Sequence, residues 1–202
     1  MRGRFVAFEG GEGCGKSTQA RLLAERLGAV LTHEPGATEL GRRVRTLVLG
    51  PAVGSATVDA RAEALLMAAD RAQHVAEVVR PALEKGLDVV TDRFSGSTLA
   101  YQGYGRGLPL DDLRWLTRWA SGGLEPDAVV LIEVPVEVAM ARARARPGEG
   151  PDRMEGEDRE FHRRVESGYR SLAAADPGRW AVVDGAGDVD EVAARVAGAL
   201  GL

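Results

Sequence analysis

Apolar positions along this chain alternate between two patterns: short unbroken runs, and longer stretches where they recur every three or four residues. Phe5–Phe8 is an apolar run that reads as a buried strand, and Lys16–Leu27 carries Leu22, Leu23 and Leu27 at helical spacing. Ala29–Thr32 reads as a short strand. Thr38–Leu49 reads as a helix with Leu40, Val44, Leu47 and Val48 on its apolar side. Asp59–Glu84 is a long helical pattern ending near Lys85-Gly86, and Pro81 either kinks it or begins a second piece. Asp88–Thr91 is a further β-branched run. Leu110–Ala120 reads as a helix whose early Asp111 and Asp112 suit the positive end of the helix dipole. Ala128–Val134 is an almost continuous apolar strand. Val136–Arg146 and Glu157–Ala175 are helical, Ala181–Val183 is a last strand, and Val189–Leu200 is a closing helix. Five apolar strands separated by helices predict an α/β fold with a five-stranded parallel sheet covered on both faces. There is no internal repeat, so residues 1–202 are read as a single domain. Arg146–Gly156, rich in Gly, Pro and charge, reads as a mobile loop rather than a linker.

Composition narrows the function class. The 202 residues are 45% apolar and 28% charged, ordinary for a globular protein. No run approaches the ~18–20 apolar residues of a membrane span. The first residues run straight into a strand pattern without a signal-peptide stretch, which predicts a cytoplasmic protein and no membrane partner. Cys14 is the single cysteine, so no intrachain disulfide or cysteine metal cluster forms. A net charge of −4 opposes a broad surface for a nucleic-acid polymer. Among 26 basic residues only Lys16 and Lys85 are lysine, which draws attention to Lys16.

Lys16 lies in Gly10-Gly11-Glu12-Gly13-Cys14-Gly15-Lys16-Ser17, followed by Thr18. The segment fits the phosphate-binding pattern G-x-x-x-x-G-K-[ST], between a predicted strand and a predicted helix. Glycines let backbone N–H groups turn toward phosphate oxygens, and the helix N-terminus adds positive potential. Lys16 can reach β- and γ-phosphates, and the Ser17 hydroxyl can ligate Mg²⁺. A glycine-rich turn without a ligand is the plain alternative, and both the full match and the placement oppose it. The loop implies a bound nucleoside triphosphate with Mg²⁺ but does not name the acceptor.

Asp92-Arg93 follows the third predicted strand, at the end where parallel sheets gather ligands. Asp92 could hold Mg²⁺ through water, and Arg93 could grip a phosphate with its planar fork; equally, the two could pair with each other. The chain continues Phe94-Ser-Gly-Ser97-Thr98-Leu-Ala-Tyr101-Gln102-Gly103. This stretch resembles the D-R-[YF]-x-x-S-x-x-A-Y-Q-G segment of thymidylate kinases. Glu34-Pro35-Gly36 resembles that family's turn after the second strand. Glu63 through His74 resembles its nucleobase-side helix, and Arg142–Arg146 with Asp152-Arg153-Met154-Glu155 resembles its lid. These matches span most of the chain in the family's order.

The resemblance implies a P-loop fold of the nucleoside-monophosphate-kinase type and transfer of phosphate from ATP-Mg²⁺ to thymidine monophosphate (dTMP). It implies that Arg71 and Gln102 bond the thymine edge and that Ser97 and Thr98 line the base pocket. Arg93 and Arg45 would lie near the monophosphate, Glu12 near the sugar 3′-hydroxyl, and Tyr101 beside C2′. Glu34 and Pro35 belong to the same substrate side. Two positions depart from the family: Met67 stands where a phenylalanine stacks on thymine, and His33 stands where an arginine precedes E-P-G. Methionine packs more adaptably, and a histidine would lose a phosphate contact or make it pH-dependent.

Phosphoryl transfer needs charge neutralisation more than covalent chemistry. The loop interior of Gly11, Glu12, Gly13 and Cys14 lacks a basic residue, so the chain resembles the type whose arginine comes from a lid at about 142–156. Arg142 and Arg146 share a helix face, and Arg153 follows in the loop; a solvated basic helix is the alternative. The acceptor phosphate is already ionised, so no strong base is required. The resemblance also implies a homodimer packed through helices such as Asp59–Val79. Rival readings are a kinase for another nucleoside monophosphate or a deoxynucleoside, a GTP-dependent switch, and a relic loop in an interaction protein. The absence of asparagine removes the guanine-reading N-K-x-D motif.

Overall fold

A computed structural model describes residues 2–50, 58–144 and 152–202. In chain order the elements are β1 (Phe5–Glu9), α1 (Lys16–Leu27), β2 (Val30–His33), α2 (Glu39–Leu49) and α3 (Ala60–His74). A π-helical turn at Val75–Val79 leads into α4 (Arg80–Glu84) and β3 (Val89–Asp92). Next come α5 (Ser95–Thr98), a π-helical segment at Leu99–Gly105, α6 (Leu110–Ala120) and β4 (Ala128–Glu133). The chain closes with α7 (Val136–Arg144), α8 (Arg159–Ala175), β5 (Trp180–Asp184) and α9 (Val189–Ala199). No helix among the described residues is long and apolar enough to cross a membrane.

The five strands form one parallel sheet in the order β2-β3-β1-β4-β5, as the apolar runs predict. The central strands are buried on both faces, which is why they read as unbroken apolar runs. Successive side chains of β1 point to opposite faces. Val6 and Phe8 pack with Val130 and Ile132 against α1 and α9. Phe5 and Ala7 pack against Val75, Val79 and Leu83. A third cluster joins Leu131 and Tyr101 to Phe161, Val165 and Tyr169 of α8.

Several elements differ from the periodicity reading. In α2 the expected apolar side splits: Val44 and Val48 are buried, whereas Leu40 and Leu47 face outward. Pro81 does begin a second piece, the second of its two expected outcomes, without a gap in the helical run. It falls in the first turn of α4, just after the wider π turn, where a missing N–H removes least from the helix ladder. The stretch after β3, to which the apolar pattern assigns no element, is helical from Ser95 to Gly105. Its burial comes from α6 and α8 rather than from its own periodicity.

The turn after β2 is tied to α3 by Asp70. The buried Asp70 carboxylate accepts a 2.9 Å bond from the Gly36 N–H, and Gly41 of α2 packs so close that a Cβ there would meet Asp70 Oδ1 at 2.4 Å. The other oxygen, Oδ2, has no partner among the described residues. Burial first, and the neighbouring Glu34 carboxylate second, push Asp70 up from 3.8 to about 6. Its pKa is therefore higher folded than unfolded. Its contribution to stability is present below about pH 4 and is lost as pH rises through about 6. An Asp70→Asn variant keeps the acceptor for Gly36 and removes the ionisation. The melting temperature of that variant minus that of the wild type should therefore become more positive between pH 4.5 and pH 7.5, read by circular dichroism. A pH-independent difference would contradict this account.

Candidate active site

The register of the sheet places two loops side by side. Phe8 of β1 pairs with Asp92 of β3, and the Arg93 N–H donates to the Phe8 carbonyl at 2.9 Å. The glycine-rich loop leaving β1 therefore lies against the Asp92-Arg93 exit of β3. The carboxylate of Glu9, the last residue of β1, locks the two together. It is 1% exposed and accepts from the N–H groups of Phe94 and Ser97 at 3.0 Å each. It also accepts from Ser97 Oγ at 2.6 Å and from the Tyr169 hydroxyl at 3.2 Å. Burial raises its pKa, and these hydrogen bonds work against that rise.

The loop has the conformation expected of a phosphate cradle. Gly10, Gly13 and Gly15 all have positive φ, which side chains with a Cβ rarely adopt. At Gly10 a Cβ would also meet the Ile132 carbonyl at 2.6 Å. Gly11 and Cys14 complete the turn, and Lys16 opens α1 with Ser17 and Thr18 behind it. Lys16 is buried; it donates to the Gly11 carbonyl at 3.1 Å and lies 3.7 Å from Glu12. The Ser17 hydroxyl donates to Asp92 Oδ2. Asp92 Oδ1 is buried without a partner among the described residues. A hydroxyl next to a carboxylate with a spare oxygen suits a hard cation whose remaining ligands are phosphate and water.

Arg93 stands at the junction. It is the one non-glycine residue with positive φ among the described residues, at 74°, a conformation that persists only when its surroundings determine it. Its guanidinium donates to the Gly10 carbonyl at 3.1 Å, Ser97 Oγ at 2.9 Å, the Tyr169 hydroxyl at 3.1 Å and the Tyr101 hydroxyl at 3.2 Å. It also pairs with Glu12 and lies over the Tyr101 ring, 5.0 Å from its centroid. Burial raises the pKa of both tyrosines, so each keeps a hydroxyl proton to donate.

A cleft of about 530 Å³ runs from this junction. Glu12, Lys16 and Ser17 line one end; Glu34, Pro35, Arg45, Met67, Arg71, Asp92, Arg93, Ser97, Thr98, Tyr101 and Gln102 line the rest. The far wall rests on Arg71, which donates to Glu34 at 2.9 Å, to Thr98 Oγ1 at 3.0 Å and to the Phe94 carbonyl at 3.0 Å. Glu34 is also held by His74 at 2.9 Å, whose other ring nitrogen meets Thr32 at 2.7 Å. Arg45 is exposed and donates to the Pro35 carbonyl at 3.1 Å. His33 also lines the cleft. Its pKa is lowered by burial first and by Arg45 second, which favours a neutral ring.

Two of the three expected lid arginines are among the described residues, and their partners lie away from the loop. Arg142 extends to the Gly185 carbonyl at 3.4 Å. Arg146 lies outside the described residues. Arg153 donates to the Val48 carbonyl at 2.7 Å and pairs with Glu63, while Asp152, Met154 and Glu155 around it line the cleft. Sequence reasoning missed Glu9, Glu63, His74 and Tyr169. Glu9 leaves one clue, a carboxylate ending a strand otherwise wholly apolar. Tyr169 leaves none, because it arrives from a helix 76 residues beyond Arg93.

Comparison with known proteins agrees with this geometry. A family model described as thymidylate kinase matches residues 8–196. The thymidylate kinase of Nitrobacter winogradskyi is 51% identical, covering 99% of this chain and 89% of the relative. That of Desulfovibrio desulfuricans is 48% identical, covering 93% and 90%. A crystal structure of thymidylate kinase from Ehrlichia chaffeensis superposes with a TM-score of 0.80 at 30% identity, each chain fully covered. Since the match runs from β1 into the closing helix and takes in both the loop and the cleft, this chain belongs to the thymidylate kinase family.

Proposed function

We propose that this protein transfers the γ-phosphoryl group of ATP to thymidine monophosphate, giving thymidine diphosphate and ADP for dTTP synthesis. One observation carries the reading. The glycine loop and a cleft of nucleotide size are a single continuous space, with the Arg93 guanidinium between them. In this reading the Gly10–Thr18 backbone cradles the ATP phosphates, with Lys16 neutralising their charge. Ser17 and Asp92 would hold Mg²⁺, which when bound polarises the phosphoryl oxygens. Arg93, with Arg45 nearby, orients the acceptor phosphate for in-line attack. Glu12 takes the sugar 3′-hydroxyl, and the Tyr101 ring closes the space beside C2′. Arg71 and Gln102 address the base edge, Met67 covers its face, and Ser97 and Thr98 complete the pocket.

Lid closure over about 142–156 remains part of this proposal, with Arg142, Arg146 and Arg153 as the arginines concerned. Of these, Arg142 and Arg153 would first have to leave Gly185 and Glu63. The same reading places the enzyme in the cytoplasm, where its nucleotide substrates are found.

We also propose a homodimer. Helices α2, α3 and α6 pack side by side. Their outward faces carry Leu40, Leu47, Leu65, Trp115 and Trp119, each 45–71% exposed. The two indoles stack with centroids 6.0 Å apart. An apolar layer of this kind fits a second copy of the chain.

A coupled ADP-release assay with dTMP, deoxyuridylate, uridylate and thymidine as acceptors tests the activity. dTMP should give the highest kcat/KM, and absence of product from dTMP would overturn the proposal. Lys16→Ala should lower kcat by roughly 10²–10³-fold with the circular dichroism spectrum intact; near-normal turnover would remove that lysine from the mechanism. Analytical ultracentrifugation should give twice the 21.4 kDa chain mass, and Leu65→Glu combined with Trp119→Glu should shift the protein to monomer. A wild type that sediments as monomer at micromolar concentration would refute the dimer.

A further inference from the structure

Behind the cleft, and not lining it, lies a fully buried carboxylate for which the mechanism above has no use. Glu63 sits in the first turn of α3 with 0% exposure. One oxygen, Oε2, faces two guanidinium groups: Arg106 at 3.2 Å and Arg153, which pairs with it directly. The other, Oε1, accepts from the Gln102 side-chain amide at 2.7 Å and more distantly from Arg106 Nε at 3.4 Å. Four elements thus converge on one carboxylate: α3, the π-helical segment, the end of α2 through the Val48 carbonyl on Arg153, and the segment 152–155.

This arrangement decides which way Gln102 presents its amide. A carboxylate against two guanidinium groups only accepts hydrogen bonds, so the Gln102 NH₂ must face it. The side chain is 1% exposed and cannot reorient toward solvent. Its carbonyl oxygen accepts no hydrogen bond from a described residue, and Gln102 is one of the residues that line the cleft. A carbonyl in that position accepts from a donor on a base edge and repels an acceptor. Thymine and uracil carry a donor, N3–H, whereas cytosine carries a bare acceptor nitrogen at the same ring position.

We infer that Glu63 is a specificity-determining positioning residue: by locking the Gln102 amide, it makes the pocket select pyrimidines with a protonated N3 over cytosine. The inference rests on the assignment of Gln102 to the base pocket. Arg71 adds a separate preference, since its guanidinium offers only donors and suits a carbonyl better than an amino group. Losing the Glu63 lock should therefore remove part of the discrimination and not all of it.

The test is the ratio of kcat/KM for dTMP to that for 2′-deoxycytidine monophosphate, measured within each preparation so that the fraction of active protein cancels. Glu63→Gln replaces an acceptor-only group by one that can donate, which frees Gln102 to turn over. The ratio should fall about tenfold, mainly through faster phosphorylation of the cytidine nucleotide. Glu63→Asp keeps the charge facing Arg106 and Arg153 but withdraws the acceptor by one methylene. It should lower the ratio too, and it serves if the glutamine variant does not fold. Gln102→Ala should also lower the ratio, and Glu63→Gln in that background should change it no further. An unchanged ratio in both Glu63 variants, with a lowered one in Gln102→Ala, would overturn the inference and leave the base pocket standing. An unchanged ratio in Gln102→Ala would overturn the base-pocket assignment and the inference with it. Additive effects in the double variant would mean that Glu63 acts through something other than Gln102, and would also overturn it.

Discussion

The working part of this protein depends on the buried carboxylate of Glu9. A charged group at 1% exposure is costly unless its hydrogen-bonding capacity is met. Here two backbone N–H groups and two hydroxyls meet it. Those donors come from the segment after β3 and from α8, so the end of β1 cannot move independently of either. The glycine loop leaves from that same strand end. The glycine loop and the cleft are thereby held in one frame, and the in-line transfer proposed between them demands such a frame because misplacement of either reactant is costly in rate.

The same economy recurs around the cleft. Each arginine lining it is matched by a carboxylate or a carbonyl oxygen, Arg93 by Glu12, Arg71 by Glu34 and Arg45 by Pro35, and behind it Arg106 and Arg153 are matched by Glu63. Such pairs contribute little net stability once desolvation is counted, but breaking one leaves an uncompensated buried charge. Their value lies in direction. A guanidinium held at several of its N–H groups has few left to offer, so the position of those few is determined before any ligand arrives. The positive φ of Arg93 belongs to this pattern, since its five side-chain partners hold a backbone geometry that sequence preference disfavours. Phosphoryl transfer rewards preorganisation of this kind, because little covalent chemistry is left for the protein to perform.

Legibility in the sequence followed burial. The three central strands are buried on both faces and must be continuously apolar, so they could be read directly. The half-exposed edge strands β2 and β5 were read from shorter apolar runs, and all five strands have an end displaced by a residue or two. The phosphate loop was equally plain, because its glycines and lysine are contiguous and answer to one local geometry. The helices were less plain. Leu40 and Leu47 share the spacing of Val44 and Val48 yet face outward, since periodicity reports which residues are apolar and not which neighbour covers them. The helical run from Ser95 to Gly105 escaped detection because α6 and α8 bury it, not its own pattern.

By itself, the sequence determined the order of the five strands, the glycine-rich loop and, through motifs in family order, cleft-lining residues from Glu34 to Gln102. Only the tertiary structure decided how those residues are held. It brought Tyr169 to Arg93 and Glu63 to Gln102, and it turned Arg142 and Arg153 toward Gly185 and Glu63. The physical reason is range. Strand and loop preferences act between neighbours in the chain, whereas a buried charge must find its partner wherever packing delivers one, and no local pattern records that meeting.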